Sequence, residues 1–229
     1  KGASSGEGLG NQFLGQIKQT SAIIHVVRCF DDNKINHVNG KVDPLKDIEI
    51  IETELLLSDI DTLVRRKEKL QKQFKSGDQK EKASLELLEE LIHHCSNGEK
   101  AKTYKIEKDL LWFKKSLHLL TDKPILYVGN IGETELQDEN ISKHTKDLTE
   151  YVKNQNNSII FLCASLEQEI SFLSKNEQKM FLSEYNLKEP GLNKVIRSSF
   201  NLLGLHTFFT CGEKEVKSWT IQKGMSAPQ

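Results

Sequence analysis

The segment KPILYVGNIGETEL, residues 123–136, joins an apolar run of strand type to a helix through a polar loop that begins at Asn130. Two similar runs lie at Ser21–Phe30 and Ser158–Ser165, and Asn140–Gln155 has helical character between the second and third runs. Nearly continuous β-branched runs are typical of parallel strands that are buried on both faces. Strand, helix and strand at this spacing form a βαβ unit. We therefore predict an α/β fold with a parallel sheet.

Residues 43–120 interrupt this pattern with two long stretches of heptad-like apolar spacing, joined by the turn signal KSGDQK at residues 75–80. The seam comprises Leu56, Ile60, Leu63, Lys67, Leu70 and Phe74 on the first stretch and Leu85, Leu88, Ile92 and Cys95 on the second. Apolar residues alternating at three and four positions predict helices that pack along a seam. We predict an inserted antiparallel helical hairpin, ended near Gly98, and a third helix at Glu107–Leu120.

The last part of the chain changes character after a helix that follows Pro190. Residues 205–229 contain aromatic and β-branched runs on either side of Gly212, which predicts a β-hairpin. A lone hairpin is too small to hold a core. We expect this hairpin to begin a further domain, and we expect the sequence to be an interior piece of a longer protein.

The bulk composition excludes several classes. The chain has 229 residues, with 32 Lys plus Arg against 33 Asp plus Glu, so its net charge of −1 gives no general attraction to nucleic acid or membranes. The four cysteines are far apart, and neither their spacing nor that of the histidines indicates a metal site. Free thiols suit a reducing cytosol, so we expect a cytoplasmic protein. No run approaches the ~20 apolar residues of a membrane span.

Asn130 supports two hypotheses. After a strand, Asn is commonly a turn residue. In a P-loop nucleotidase, an Asn at this place reads a purine, because its C=O can accept from N6 of adenine while its NH₂ donates to N7. A guanine-reading loop would carry Asn-Lys-x-Asp, but here the fourth residue is Glu133 and the Lys is missing. A carboxylate aimed at adenine would meet the N1 lone pair, so we expect Glu133 to point elsewhere and predict adenine.

The glycine-rich start, KGASSGEGLGN, contains Gly6 and Gly8. No Gly-Lys-Ser/Thr occurs in the chain, so this segment is not a phosphate-binding P-loop. It is either a mobile loop or, because a helix and a buried strand follow it, the switch II segment of a nucleotidase.

These motifs resemble the YchF / Obg-like ATPase family. The resemblance is carried in order, across essentially the whole chain, by KGASSGEGLGNQFL, HVVRCF, VDPLKDIEIIETELLLSDID, the loop from Asn130 to Glu133, CASLEQEI, EPGLNKVIR and FFTCGEKEVKSWT. It implies a Ras-like nucleotide-binding domain in two parts, residues 1–42 and 121–204. It also implies a coiled-coil insert at 43–120, the start of a β-grasp TGS domain at 205–229, and a preference for ATP over GTP.

The resemblance also implies the site residues. It assigns the base to Asn130 and Ile131, within the loop that ends at Glu133, and a second base-side loop to Cys163, Ala164 and Ser165. It assigns switch II to the segment with Gly6 and Gly8. It implies that His37 positions the attacking water, whereas the residue alone would be a solvated loop histidine. The Mg²⁺ ligands and the P-loop are expected upstream of Lys1, so we expect no ATPase activity from these 229 residues alone.

Residues 65–82 hold eight basic and three acidic side chains, a net +5 at the tip of the predicted hairpin. Such a surface is either a solvated helix face or a contact for a phosphate backbone. The family associates with ribosomes, so the resemblance favours RNA as the partner of Arg65, Arg66, Lys69 and Lys72, together with the TGS domain. The main hypothesis is a ribosome-associated ATPase. The alternatives are a non-catalytic RNA- or ribosome-binding adaptor and a GTPase.

Overall fold

A computed structural model describes two compact units. The first comprises the described residues of 9–21 and 48–123, and the second those of 22–47 and 124–226. The described residues as a whole are 9–32, 34–37, 40–73, 79–137 and 142–226.

The α-helices of the described residues follow in chain order. They are α1 Leu9–Gln19, α2 Pro44–Gln73, α3 Gln79–Ser96, α4 Leu111–Ser116, α5 Glu133–Gln137, α6 Lys143–Asn154, α7 Ala164–Phe172, α8 Lys175–Glu184 and α9 Gly191–Leu202. Short 3₁₀ turns lie at Ala101–Thr103, Lys108–Leu110 and Leu120–Asp122.

The second unit is built on a parallel sheet of β1 Ile23–Arg28, β2 Ile125–Asn130 and β3 Ser158–Leu162, in the order β1-β2-β3. The strands pair in parallel, with β2 between the other two. The central strand is buried from its first residue to Gly129, as its continuous apolar sequence requires. The prediction of an α/β fold with a parallel sheet is confirmed.

Gly129 allows the ring of Phe161 on β3 to pack directly against β2. A Cβ at this position would lie 2.4 Å from two ring carbons of Phe161 on β3 and 3.5 Å from Sγ of Cys29. No side chain can occupy that space while the Phe161 ring is there. Gly129 is therefore required by a close approach at the residue directly before Asn130.

The first unit contains α2 and α3, which share an apolar core. Leu63 of α2 packs with Leu87, Leu88, Leu91 and Cys95 of α3. The core also takes in Ala101, Phe113, Leu117 and Leu119, which lie beyond α3 in the chain. Because α3 is covered by these residues as well as by α2, its buried face is broader than the seam expected from the sequence, which omitted Leu87 and Leu91.

The third helix of the first unit is shorter than predicted. Glu107–Leu120 was expected to be one helix, but α4 covers Leu111–Ser116, and 3₁₀ turns lie before and after it. His118 has a φ of 49°, which an α-helix cannot contain. Lys114 points inward, where its Nζ lies 2.8 Å from the carbonyl oxygen of Ala101 and 2.8 Å from Oδ1 of Asp122.

Asp59 of α2 is fully buried in the same unit. Its carboxylate accepts hydrogen bonds from the backbone N–H groups of Leu120 and Thr121, each at 2.7 Å, and from the Thr121 hydroxyl at 2.8 Å. Burial raises the pKa of Asp59, against the lowering effect of these donors. A buried carboxylate needs several donors to offset its lost hydration. These hydrogen bonds hold Leu120 and Thr121, which precede β2 in the chain, against α2.

The last strands form an antiparallel pair, β4 Leu205–Cys211 and β5 Val216–Gln222, in which Leu205 lies opposite Gln222. The predicted hairpin is therefore present. Its aromatic side chains Phe208, Phe209 and Trp219 are exposed. Within the described part of the chain, no helix has the length and apolar character needed to cross a membrane.

A candidate nucleotide-base site at the end of the sheet

A cavity of about 840 Å³ lies at the carboxyl end of the parallel sheet. It is formed by the loops that follow β1, β2 and β3, because the carboxyl ends of parallel strands share one edge. Its lining residues are Phe30, Asp31, Asp32, Lys34, Ile35, Asn130, Ile131, Gly132, Glu133, Thr134, Glu135, Cys163, Ala164, Ser165 and Gln168. The sequence analysis predicted two separate loops, Asn130–Glu133 and Cys163–Ser165, as parts of a base site. In the structure both loops line this cavity.

Asn130 ties these two loops to each other. Its Oδ1 accepts a hydrogen bond from the backbone N–H of Ala164 at 3.0 Å. Because a backbone N–H can only donate, this contact identifies which end of the Asn130 amide is the oxygen. Among the described residues, no partner is seen for the NH₂ group or for the second lone pair of Oδ1, so both can serve a ligand. A purine could use both, since N7 accepts from NH₂ and the adenine 6-amino group donates to the oxygen.

Backbone and side-chain contacts hold the remainder of both loops. The N–H of Ile131 donates to the carbonyl oxygen of Leu162 at 2.9 Å, which extends the β2–β3 pairing into the base loop. Sγ of Cys163 lies 3.1 Å from Oγ of Ser165 at the start of α7. The N–H of Ile131 is therefore used within the fold, and the contact left for a base from this backbone is the carbonyl.

Glu133 lines the cavity, and its carboxylate is bound by a residue from outside the base loop. Its Oε1 accepts a hydrogen bond from the hydroxyl of Tyr185 at 2.5 Å. This hydrogen bond is the main reason that the pKa of Tyr185 is raised to about 12. The sequence predicted that Glu133 turns away from adenine but identified no partner for it, and in the structure that partner is Tyr185.

The loop after β1 supplies a third wall that sequence reasoning missed. Arg28 donates from Nε to the carbonyl oxygen of Phe30 at 3.0 Å, and from Nη1 and Nη2 to those of Ile35 and Asp32 at 3.1 and 3.3 Å. Its guanidinium carbon lies 4.7 Å from the centroid of the Phe30 ring. Phe30, Asp32 and Ile35 follow the end of a strand of the parallel sheet, and that position was the signal that could have identified them.

Comparison with known proteins places this geometry in a family. The chain is 44% identical over 229 residues to the ribosome-binding ATPase YchF of Bacillus subtilis, covering all of this chain and 63% of that protein. It is 42% identical over 229 residues to the protein of the same name from Escherichia coli O157:H7, covering 62% of it. Over its whole length, the chain is similar to members of the YchF family.

Two further matches agree with this assignment. A family model described as YchF-GTPase_C, a protein of unknown function (DUF933), matches residues 205–229. The structure of the Schizosaccharomyces pombe YchF GTPase superposes with a TM-score of 0.84 at 31% identity, over 98% of this chain and 61% of that one. The chain therefore spans somewhat less than two thirds of the length of the YchF relatives it matches.

Two of the segments that carry the sequence resemblance have a structural explanation. Glu167 of α7 accepts hydrogen bonds from the backbone N–H groups of Gly191 at 2.6 Å and Leu192 at 3.0 Å, at the start of α9. A Cβ on Gly191 would lie 2.9 Å from both Oε1 of Glu167 and Cβ of Leu162. Glu189 forms a two-pronged ion pair with Arg197. These hydrogen bonds and this ion pair, made by the CASLEQEI and EPGLNKVIR segments, hold α9 beside the base loop.

His37 lies in the second unit but not among the residues that line the cavity. Its Nε2 is 2.8 Å from Oδ2 of Asp47 in the first turn of α2, and its side chain is 14% exposed. The His37 side chain is therefore largely buried and held by Asp47, unlike a solvated loop histidine. Gly6 and Gly8, expected in the switch segment, lie outside the described residues.

The described residues do not bring together a metal site. Within 9–32, 34–37, 40–73, 79–137 and 142–226, no three His, Cys, Asp or Glu side chains are close enough to bind one ion. A divalent cation on a nucleotide is held chiefly by phosphate oxygens and a few protein oxygens. The described residues of the cavity offer hydrogen-bonding groups that a nucleotide base could use.

Proposed function

We propose that the full-length protein binds ATP at this cavity and hydrolyses it. The observation that carries the proposal is the Asn130–Ala164 hydrogen bond, which orients an Asn amide toward the cavity at the carboxyl end of a parallel sheet. Open α/β sheets bind their ligands at this edge. The names of the YchF relatives, which call them ATPases, support the same reading.

The choice of adenine rests on two side chains. Asn130 can offer an acceptor to the 6-amino group and a donor to N7. Glu133 would be the acceptor for guanine, but its carboxylate is engaged by Tyr185. The base loop therefore presents to a purine the pattern that adenine complements.

Catalysis is assigned to His37. Its ion-pair geometry with Asp47 fixes the imidazole, as a group that orients an attacking water must be fixed. The phosphates and Mg²⁺ require residues beyond those described, because the sequence contains no Gly-Lys-Ser/Thr and the described residues form no metal cluster. We include the switch glycines Gly6 and Gly8 in this proposal on the family resemblance.

The proposed partner is the ribosome, contacted through RNA by α2. The relatives from Bacillus subtilis and Haemophilus ducreyi are named ribosome-binding ATPases, which supports a ribosomal partner. Arg65, Arg66 and Lys69 border a cavity of about 350 Å³ with Thr62 and Ser116. Arg65 pairs with Asp61 at 2.8 Å, whereas Lys69 and the exposed Lys72 have no ion pair among the described residues. Such a surface suits a phosphate backbone, and work on ribosomes would place the protein in the cytoplasm.

We propose two finer domain assignments from the family resemblance. The α2–α3 insert is assigned as a coiled coil, and residues 205–229 as the start of a TGS domain. Exposed Phe208, Phe209 and Trp219 on the hairpin support the latter, because an isolated pair of strands needs further structure to cover its apolar side chains.

A GTPase is the second candidate, because the matched protein of Schizosaccharomyces pombe is named the YchF GTPase. Isothermal titration of the full-length protein with ATP and GTP, followed by turnover assays with each, separates the possibilities. Tighter ATP binding with turnover supports the proposal. Tighter GTP binding favours the GTPase, and ATP binding without turnover favours a non-catalytic adaptor.

A further inference from the structure

Glu133 occupies the position at which a guanine-reading Asn-Lys-x-Asp loop carries its carboxylate. In such loops the carboxylate accepts hydrogen bonds from N1–H and the 2-amino group of guanine. Glu has one more rotatable bond than Asp and lines the same cavity as Asn130. If nothing held it, this side chain could turn toward a bound base and supply the acceptor that guanine needs.

The structure shows what holds Glu133. The hydroxyl of Tyr185 donates to its Oε1 at 2.5 Å, across 52 residues of sequence. Tyr185 follows α8 directly, and its backbone N–H donates to the carbonyl oxygen of Phe181 at 3.3 Å. Its ring also stacks on that of Phe181, with centroids 4.9 Å apart and planes at 31°. The hydroxyl is thus presented from a ring that is itself fixed by the end of a helix.

We propose that Tyr185 is a specificity-determining residue, which excludes guanine by holding the Glu133 carboxylate away from the Watson–Crick edge of the base. This inference rests on the proposed nucleotide site. Tyr185 does not line the cavity and acts through Glu133, so it is a positioning residue. Guanine is disfavoured because the Glu133 carboxylate is not available to it as an acceptor. Adenine is favoured, in addition, by the contacts that Asn130 offers.

Two properties make the Tyr185–Glu133 contact effective as such a device. A phenol donating to a carboxylate forms a charge-assisted hydrogen bond, which is stronger than a neutral one. The pKa of Tyr185 is raised to about 12, first by this hydrogen bond, so the donor proton stays in place throughout the neutral range. The phenol therefore remains a hydrogen-bond donor at neutral pH.

The test compares nucleotide dissociation constants of the full-length wild type and Tyr185→Phe by isothermal titration with ATP, GTP and ITP. Removing the hydroxyl frees Glu133, so the ratio of GTP to ATP affinity should rise by roughly 3- to 10-fold, the equivalent of one hydrogen bond. ITP, which has N1–H but no 2-amino group, should gain less than GTP. Both nucleotides bind the same folded molecules, so the ratio does not depend on the fraction of protein that is folded.

Two further variants complete the test. Tyr185→Phe combined with Glu133→Ala should return the ratio to at most the wild-type value, because the freed carboxylate is gone. Tyr104→Phe is the matched control: Tyr104 also donates to a glutamate, Oε2 of Glu90 at 2.5 Å, but in the other compact unit, so its loss should leave the ratio unchanged.

The outcomes distinguish this inference from the function it rests on. If the wild type binds neither ATP nor GTP, the proposed function fails. If the wild type prefers ATP and Tyr185→Phe leaves the ratio unchanged, the nucleotide site stands and the role of Tyr185 is refuted. A rise in the ratio that survives Glu133→Ala also refutes it, because the effect would then not pass through the carboxylate.

Discussion

The side-chain oxygen of Asn130 and the backbone N–H of Ala164 are joined by a 3.0 Å hydrogen bond that links the loop after β2 to the start of α7. Each of these loops alone is a short connection, of a kind that is commonly mobile. Joined, they present one amide in one orientation at the edge of the cavity. Such preorganisation lowers the cost of ordering the site when a ligand binds.

Replacing Asn130 with Ala should remove both the loop contact and the purine contact. We expect a loss of about 1–3 kcal/mol in discrimination between ATP and GTP, the usual effect of one good bidentate base contact. Titration of the full-length protein with both nucleotides measures it. Asn193→Ala, at an exposed position of α9, is the control and should bind both as the wild type does. Unchanged discrimination in Asn130→Ala would reduce Asn130 to a turn residue.

Replacing His37 with Ala should lower kcat with little change in ATP affinity, because a group that orients water acts mainly in the transition state. The expected loss is on the order of 10²-fold, the lower end for a group assisting a nucleophile. Asp47→Ala, which removes the acceptor 2.8 Å from His37, should lower kcat less, because the imidazole remains but is no longer held. If affinity and kcat fell together, His37 would be a structural residue.

Replacing Asp59 with Asn should destabilise the first unit. The carboxylate satisfies three donors of Leu120 and Thr121, and an amide has only one oxygen with which to do so. One buried donor left without an acceptor costs about 1–3 kcal/mol in the free energy of unfolding. Urea denaturation measures it. The control is Asp61→Asn, an exposed partner of Arg65, whose effect should stay within ~0.5 kcal/mol.

The raised pKa of Asp59 adds a pH signature to the same pair of variants. A carboxyl whose pKa is higher in the folded than in the unfolded state favours folding at low pH. That contribution is lost as the pH rises from the unfolded value through the folded one. The wild type should therefore lose stability over this window relative to Asp59→Asn, which does not titrate. Parallel pH profiles for the two proteins would contradict the direction of the shift.

Replacing Arg65, Arg66, Lys69 and Lys72 with Glu should weaken ribosome binding and flatten its salt dependence. Phosphate contacts release counterions, and each one lost should reduce the log–log slope by roughly 0.7–0.9. Co-sedimentation with ribosomes at several salt concentrations measures it. A charge-matched control replaces the exposed Lys143, Lys146, Lys153 and Lys179 with Glu. Equal loss in the control would assign the effect to net charge, and no loss in either would leave α2 a solvated face.

The sequence was sufficient for the elements whose structure depends on local pattern. The runs at Ser21–Phe30, residues 123–130 and Ser158–Ser165 are nearly continuously apolar, so they predict the parallel strands with their approximate bounds. The expected burial on both faces is confirmed for β2 and is wrong for β1, where Ile24 and Val26 are exposed. The hairpin after residue 204 follows from aromatic and β-branched alternation around Gly212. Hydrophobic period and turn chemistry act over a few residues, which is why they can be read without the fold.

Other features depend on contacts between residues far apart in the chain. Glu107–Leu120 has a helical pattern, but the break at His118 and the inward turn of Lys114 arise because Asp59 and Ala101 supply partners for the returning chain. A local pattern contains no information about a partner some 60 residues away, so it could not predict this interruption.

The candidate site divides in the same way. The sequence alone identified Asn130 and the absence of the guanine-reading Asp, because residue type determines which hydrogen bonds a side chain can make. Only the tertiary structure decided that Asn130 bonds Ala164 and that Glu133 is held by Tyr185. It also decided that the loop after β1, whose backbone Arg28 holds, forms a third wall of the cavity. The physical reason is that a hydrogen bond requires two groups within about 3 Å, and that proximity is created by the folding of the sheet and the helices around it.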